Sequence, residues 1–160
     1  MFKKVEFVFR GSETTGYGQH AKFFWSDLKK LVPTENEDVD KCSIVLGTVD
    51  DPVFYQNYLG VKIAFNVWES TRYPDPFFKQ LLTFDQLWVP STWQRECAIE
   101  QGYPADRVKV VPEGVDSEIY TPRTPKIPLN SGVFNFLHVG KWETRKSTIE
   151  IIATWIAIFP

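Results

Sequence analysis

Apolar runs and helical stripes alternate along the chain from Met1 to about Tyr120. Val5–Arg10 reads as a first strand, and Gly11–Gly18 as a polar, glycine-rich loop. Ala21, Phe24, Trp25, Leu28 and Leu31 then fall at the i, i+3, i+4, i+7 spacing of one helix face, which Pro33 ends. The acidic stretch Thr34–Lys41 is a solvated connection. Ser43–Leu46 is continuously apolar after its serine, the mark of a strand buried on both faces. Asp51-Pro52 predicts a capped helix running to about Gly60, and Val61–Trp68 a third strand. Asp75-Pro76 predicts another capped helix, and Leu87–Val89 a short fourth strand. Ser91 and Gln94 have the spacing of a capping box, and Gly102 suits the end of that helix. Val108–Val111 is a fifth strand.

This alternation predicts an α/β fold, a Rossmann-like parallel sheet with helices on both faces and right-handed crossovers. Ligands of such sheets sit beyond the carboxyl ends of the strands. Residues 121–132 read as a linker, with Pro122, Pro125, Pro128 and Gly132 in a poorly patterned stretch. A new strand is expected at Phe134–Val139, then a polar turn, a second capping box at Ser147 and Glu150, and an apolar helix. The expected organisation is one domain over 1–120, a linker over 121–132, and the incomplete start of a second domain over 133–160. The last helix, 148–159, is apolar around most of its circumference, so it is expected to be buried, against a second copy or on the first domain.

Composition narrows the class. Charged residues are 24% of 160 and the net charge is −2, which excludes a general nucleic-acid or membrane-surface binder. No run approaches the ~18 apolar residues of a membrane span. The apolar stretch in Met1–Arg10 is too short for a signal peptide, and Cys42 and Cys97 lie in different elements. A cytoplasmic protein with two reduced thiols is expected. Aromatic residues reach 16%, with 6 Trp and 13 Phe, enough for a bulky core.

Candidate chemistry clusters at four places. Gly16-Tyr17-Gly18-Gln19-His20-Ala21 opens a helix after a strand, where glycines admit a ligand to the backbone and free N–H groups favour an anion. It fits G-x-G-x-x-A, a dinucleotide fingerprint, but Glu35, Glu37, Asp38 and Asp40 precede the second strand instead of following it. A plain glycine-rich turn remains open. Lys141, Arg145 and Lys146 precede another helix start, a second anion site or a set of solvated charges. Trp68, Glu69 and Ser70 lie at the carboxyl end of the third strand, where a ring beside a carboxylate suits a sugar, or a core tryptophan beside a solvated glutamate. Pro112–Asp116 follows the fifth strand, with Glu113 facing the cleft and Gly114 a backbone device. His20 is a candidate ligand contact and His138 a core histidine. Asp38-Val-Asp40 has the letters of a metal-binding D-x-D, but no strand leads into it, so it reads as solvated charge; no His or Cys spacing makes a zinc site.

The runs Leu87-Trp-Val-Pro-Ser91, Gly102, Val108–Asp116 and Pro122, followed by Phe136–Lys141 and Lys146-Ser147, occur in the order that closes one domain and opens the next in a known family. The chain resembles the retaining glycosyltransferases of family four, also called group 1, over nearly its whole length. Val67-Trp-Glu-Ser70 with Pro74 is similar to a subgroup of it. The resemblance implies the N-terminal domain of a GT-B fold, and transfer of a sugar from a nucleotide-sugar donor to an unidentified acceptor. By position it implies that Gly16, Tyr17 and Gly18 reach the donor phosphates. Lys141 stands where the family has Arg, and Lys146 where it has Lys; both neutralise the departing diphosphate, so no metal or other cofactor is expected. His20, Trp68, Glu69, Ser70 and Glu113 are the candidates on the acceptor or sugar side. Lys141 lacks the bidentate fork of Arg, Ser147 stands for Gly and Glu113 for Asn. The 160-residue chain alone is expected to be inactive. Two alternatives stand beside this reading: a non-catalytic sugar- or nucleotide-binding module, and an NAD-binding Rossmann domain.

Overall fold

The structure is a computed structural model that describes residues 4–32, 41–123 and 132–159. The chain divides into two compact units, Met1–Val115 and Asp116–Pro160. The D-x-D letters at Asp38 and Asp40, the other acids of that stretch, Pro33 and most of the expected linker lie outside the described residues.

The first unit holds a five-stranded, all-parallel sheet: β1 (Lys4–Val8), β2 (Lys41–Leu46), β3 (Val61–Phe65), β4 (Gln86–Val89) and β5 (Val108–Val110), lying side by side in chain order. In β2 every residue from Cys42 to Leu46 is buried. Alternate residues serve alternate faces. Ile44, Leu46, Ile63 and Phe65 pack with α1 (Gly16–Leu28), through Ala21, Phe24, Trp25 and Leu28. Val45, Ala64, Leu87, Val89 and Val108 pack on the other face with α2 (Asp75–Leu81), α3 (Thr92–Glu100) and a 3-10 turn at Pro52–Tyr55. The expected α/β sheet with helices on both faces is therefore present.

One topological expectation is corrected. All steps along the sheet run in the same direction, yet α1 covers the face opposite to α2 and α3. The β1–α1–β2 unit thus has the opposite hand from β3–α2–β4 and β4–α3–β5, so the crossovers are not uniformly right-handed. Adjacent β1 and β2 send their connections to opposite faces, which is the geometry of a switch point.

Local expectations shift as well. The helix expected after Asp51 is a single 3-10 turn, although Asp51 caps it, Oδ1 accepting from Val53 N at 2.9 Å. Val53 and Phe54 are fully buried, so one turn suffices to seat the apolar pair. Leu31 lies beyond the end of α1 and is 82% exposed. Asp75 is the first residue of α2 and pairs with Arg72 at 2.9 Å instead of capping. Ser91 caps α3, but Gln94 does not complete the box. Its buried amide instead bonds the Trp68 N–H (3.1 Å), the Asn66 carbonyl (3.0 Å) and the Tyr73 hydroxyl, tying the chain after β3 to α3.

The second unit holds a 3-10 turn at Thr144–Lys146 and α4 (Thr148–Ile158). Phe134–Val139 forms no strand, having no neighbouring strand to complete a ladder. Ser147 sits in the left-handed region (φ 50°) and makes no side-chain cap, so the second capping box is absent. Ile149, Ile152 and Ile156 are exposed in the single chain. His138 is exposed too, not a core histidine; its Nε2 lies 3.0 Å from Thr148 Oγ1.

Candidate functional site

The glycine-rich segment is built around Thr15. Its hydroxyl accepts from Gly18 N at 3.0 Å and caps α1. Ser12 and Glu13 fold against the first turn, and the Thr15 hydroxyl donates to the Ser12 carbonyl at 2.8 Å. A Cβ on Gly18 would overlap that carbonyl oxygen and lie 2.6 Å from Glu13 Cα. Gly18 is therefore a glycine because its own loop crosses it. Gly16 differs: a Cβ there meets open space, and no positive φ requires glycine. If either glycine serves close approach of a ligand, it is Gly16.

α1 lies across its face of the sheet, so its first turn reaches the carboxyl ends of β3 and β5. Tyr17 is half-buried and its hydroxyl donates to the Val67 carbonyl at 2.7 Å. Burial pushes this phenol up to about 12, and the carboxylates of Glu113 and Glu69 add to the rise. One turn further, His20 Nδ1 lies 2.7 Å from Glu113 Oε1. The carboxylate sits off the axis of the ring N–H, so Nδ1 has contact with it but no aligned hydrogen-bond partner among the described residues. Phe65 and Phe24 meet the His20 ring edge-on at 4.9 and 6.1 Å. Desolvation among these rings lowers the His20 pKa, against an opposing pull from Glu113. The imidazole is accordingly neutral near pH 7.

Tyr17, His20 and Glu113 thus meet at one place, with Glu69 close enough to act on Tyr17. Trp68 does not present its ring to that place. Its Nε1 donates to the Arg72 carbonyl at 2.9 Å and the indole stacks on buried Tyr73 at 5.8 Å, so it completes the packing beside α2. Ser70 is exposed and makes no hydrogen bond among the described residues. Gly114 has open space around it and no positive φ, so nothing in its backbone demands glycine.

Lys141 and Lys146 belong to the second unit, and both are exposed. Glu143 stands between the cations, 3.0 Å from Arg145 Nε and 3.7 Å from Lys141 Nζ. Lys146 has no carboxylate partner among the described residues, and its stem lies along Gly140. It immediately precedes the uncapped start of α4, where free N–H groups and a nearby ammonium favour an anion.

Sequence reasoning missed two residues here, Thr15 and Asp50. Thr15 is the cap of α1, signalled by a threonine just before Gly16. Asp50 and Asp51 follow β2, the position a dinucleotide site asks of an acid. Both are engaged locally: Asp51 in its cap and Asp50, at φ 61°, accepting from the Tyr55 hydroxyl at 3.4 Å.

No helix among the described residues is long and apolar enough to cross a membrane. Among them, His, Cys, Asp and Glu side chains nowhere gather in threes to hold a metal ion. Comparison with protein-family models, with curated proteins and with solved structures finds no match to this chain.

Proposed function

We propose that this chain is part of a retaining glycosyltransferase resembling family four. Its first unit serves the acceptor side, and its second contributes to holding a nucleotide-sugar donor. The observation that carries the reading is the meeting of Tyr17, His20 and Glu113 where the first turn of α1 reaches the carboxyl ends of β3 and β5. A hydroxylated ligand suits that place: a neutral imidazole and two carboxylates accept hydroxyl protons, and the N–H groups of Gly16 and Tyr17 donate. Glu69 and Glu113 put negative charge beside that turn, which disfavours a phosphate there. The phosphate-binding role accordingly falls on Lys141, Lys146 and the start of α4. These two ammonium groups stabilise the negative charge that grows on a diphosphate as its bond to the sugar breaks. Self-association through the exposed face of α4 and a cytoplasmic location belong to the same proposal.

Calorimetry of UDP, GDP and ADP with the intact reading frame encoding this chain tests the reading. One nucleoside diphosphate is expected to bind. Lys146→Ala is expected to weaken it about tenfold or more, the loss of a charge-assisted hydrogen bond worth about 1.5–3 kcal/mol. Binding unaffected by both Lys141→Ala and Lys146→Ala sinks the assignment. The 160-residue chain alone is expected to bind a diphosphate weakly and to transfer nothing; micromolar affinity in that chain contradicts the division of labour. A non-catalytic binding module would bind the same ligand and release no sugar, whereas an NAD-binding domain would prefer NAD to all three.

A further inference from the structure

His20 and Glu113 are brought together across 93 positions of sequence, from a helix start and from the segment after β5, with Nδ1 and Oε1 at 2.7 Å. The ring is held edge-on by Phe24 and Phe65 and is 13% exposed, so its orientation is set by packing. Glu113 is the opposite, 47% exposed. With Nδ1 toward the carboxylate, the neutral ring carries its proton there, and Nε2 becomes the acceptor. Nε2 has no hydrogen-bond partner among the described residues. The chain's other histidine has its Nε2 engaged with Thr148 Oγ1 at 3.0 Å.

We propose that His20 and Glu113 form a proton-accepting pair, in which Glu113 fixes the tautomer and Nε2 takes the proton of a ligand hydroxyl. The inference rests on the transferase reading only for the identity of that hydroxyl, which there belongs to the acceptor. In that case the acceptor O–H gives its proton to Nε2 as its oxygen bonds to the anomeric carbon on the same face that the diphosphate vacates, so that the configuration is retained. The bond from that carbon to the diphosphate oxygen breaks, and the diphosphate departs with the electron pair. The proton then passes from imidazolium to water. Glu113 is a positioning residue: it acts through the ring, and its off-axis approach closes to a linear bond by rotation of its exposed side chain, as acid–base pairs tighten on ligand binding. The other titratable groups at this place are Tyr17, on the same helix, and Glu69 after β3, which acts on Tyr17.

The test needs no substrate. Diethyl pyrocarbonate acylates neutral imidazole nitrogen, and the two histidines of the chain are resolved as separate peptides by mass spectrometry. His20 is expected to be modified at pH 7, with a rate that falls in acid. Glu113→Gln is expected to slow His20 by about threefold, as for a loss of about one pKa unit at a Brønsted slope near one half, leaving His138 unchanged. Because that variant also perturbs packing, nitrogen-detected NMR of the unaltered chain gives a second readout: the Nδ1–H tautomer is expected at pH 7. An Nε2–H tautomer overturns the proposal, as does an unchanged His20 rate in folded Glu113→Gln. Neither readout uses a nucleotide sugar, so failure here leaves the transferase reading standing, and failure to find a donor leaves the pair standing.

Discussion

Gly16 and Gly18 look equivalent in sequence, but the fold separates them. Replacing Gly18 by Ala drives a Cβ into the Ser12 carbonyl, 2.6 Å from Glu13 Cα, so backbone and not a flexible side chain must give way. Moving Ser12 breaks its bonds to Thr15 and loosens the Thr15 cap on Gly18 N. Overpacking costs about 1–3 kcal/mol and a lost cap about 1 kcal/mol. The helix propensity of Ala returns up to about 1 kcal/mol, leaving a net loss of about 1–3 kcal/mol. Gly16→Ala meets nothing, sits at the first position of α1, and gains up to about 1 kcal/mol. At about 4 °C per kcal/mol for a domain of this size, Gly18→Ala lowers Tm by about 4–12 °C and Gly16→Ala raises it by up to about 4 °C. Urea unfolding followed by circular dichroism gives the same ordering with unchanged m-values. Equal losses from the two substitutions, or none from Gly18→Ala, refute the reasoning that only Gly18 is held by its own loop.

Tyr17→Phe removes the bond to the Val67 carbonyl and is expected to cost about 1 kcal/mol at pH 7 by urea titration. The raised phenol, about 12 against 10 unfolded, makes stability fall as pH climbs past 10, and Tyr17→Phe is expected to flatten that decline. His20 carries a lowered folded pKa, so the unfolded chain takes up a proton first and stability falls as pH drops below 6.5; His20→Asn is expected to reduce that acid slope. Gln94→Leu leaves the Trp68 N–H, the Asn66 carbonyl and the Tyr73 hydroxyl without their partner, and is expected to cost about 3–5 kcal/mol by urea unfolding.

The strands were legible because a strand buried on both faces writes itself as a short apolar run, as in Cys42–Leu46. The helix that failed after Asp51 had the right cap and proline, but those signals mark a start and not a length. Tyr58 turns back so that its hydroxyl donates to the Val53 carbonyl at 2.7 Å, closing the segment after one turn. Gln94 shows the limit of local patterns. Its spacing from Ser91 suggests a capping box, yet buried backbone groups at Asn66 and Trp68 compete for the same amide and win. The expected strand at Phe134–Val139 has the right residues and no neighbour to pair with. In the candidate site, sequence spacing marked His20 and Glu113 separately. Only the crossing of α1 over the sheet, with its opposite hand, brings them together.

The central claim is that a sugar leaves a nucleotide diphosphate in the protein this chain builds. The most direct measurement incubates the intact reading frame with a panel of UDP-, GDP- and ADP-sugars and candidate sugar acceptors, following nucleoside diphosphate release and the anomeric configuration of any product by NMR. The account predicts release from one donor that depends on Lys146, with the anomeric configuration of the donor kept in the product. Inversion at that carbon, or no release from any donor by a protein that binds NAD instead, contradicts it.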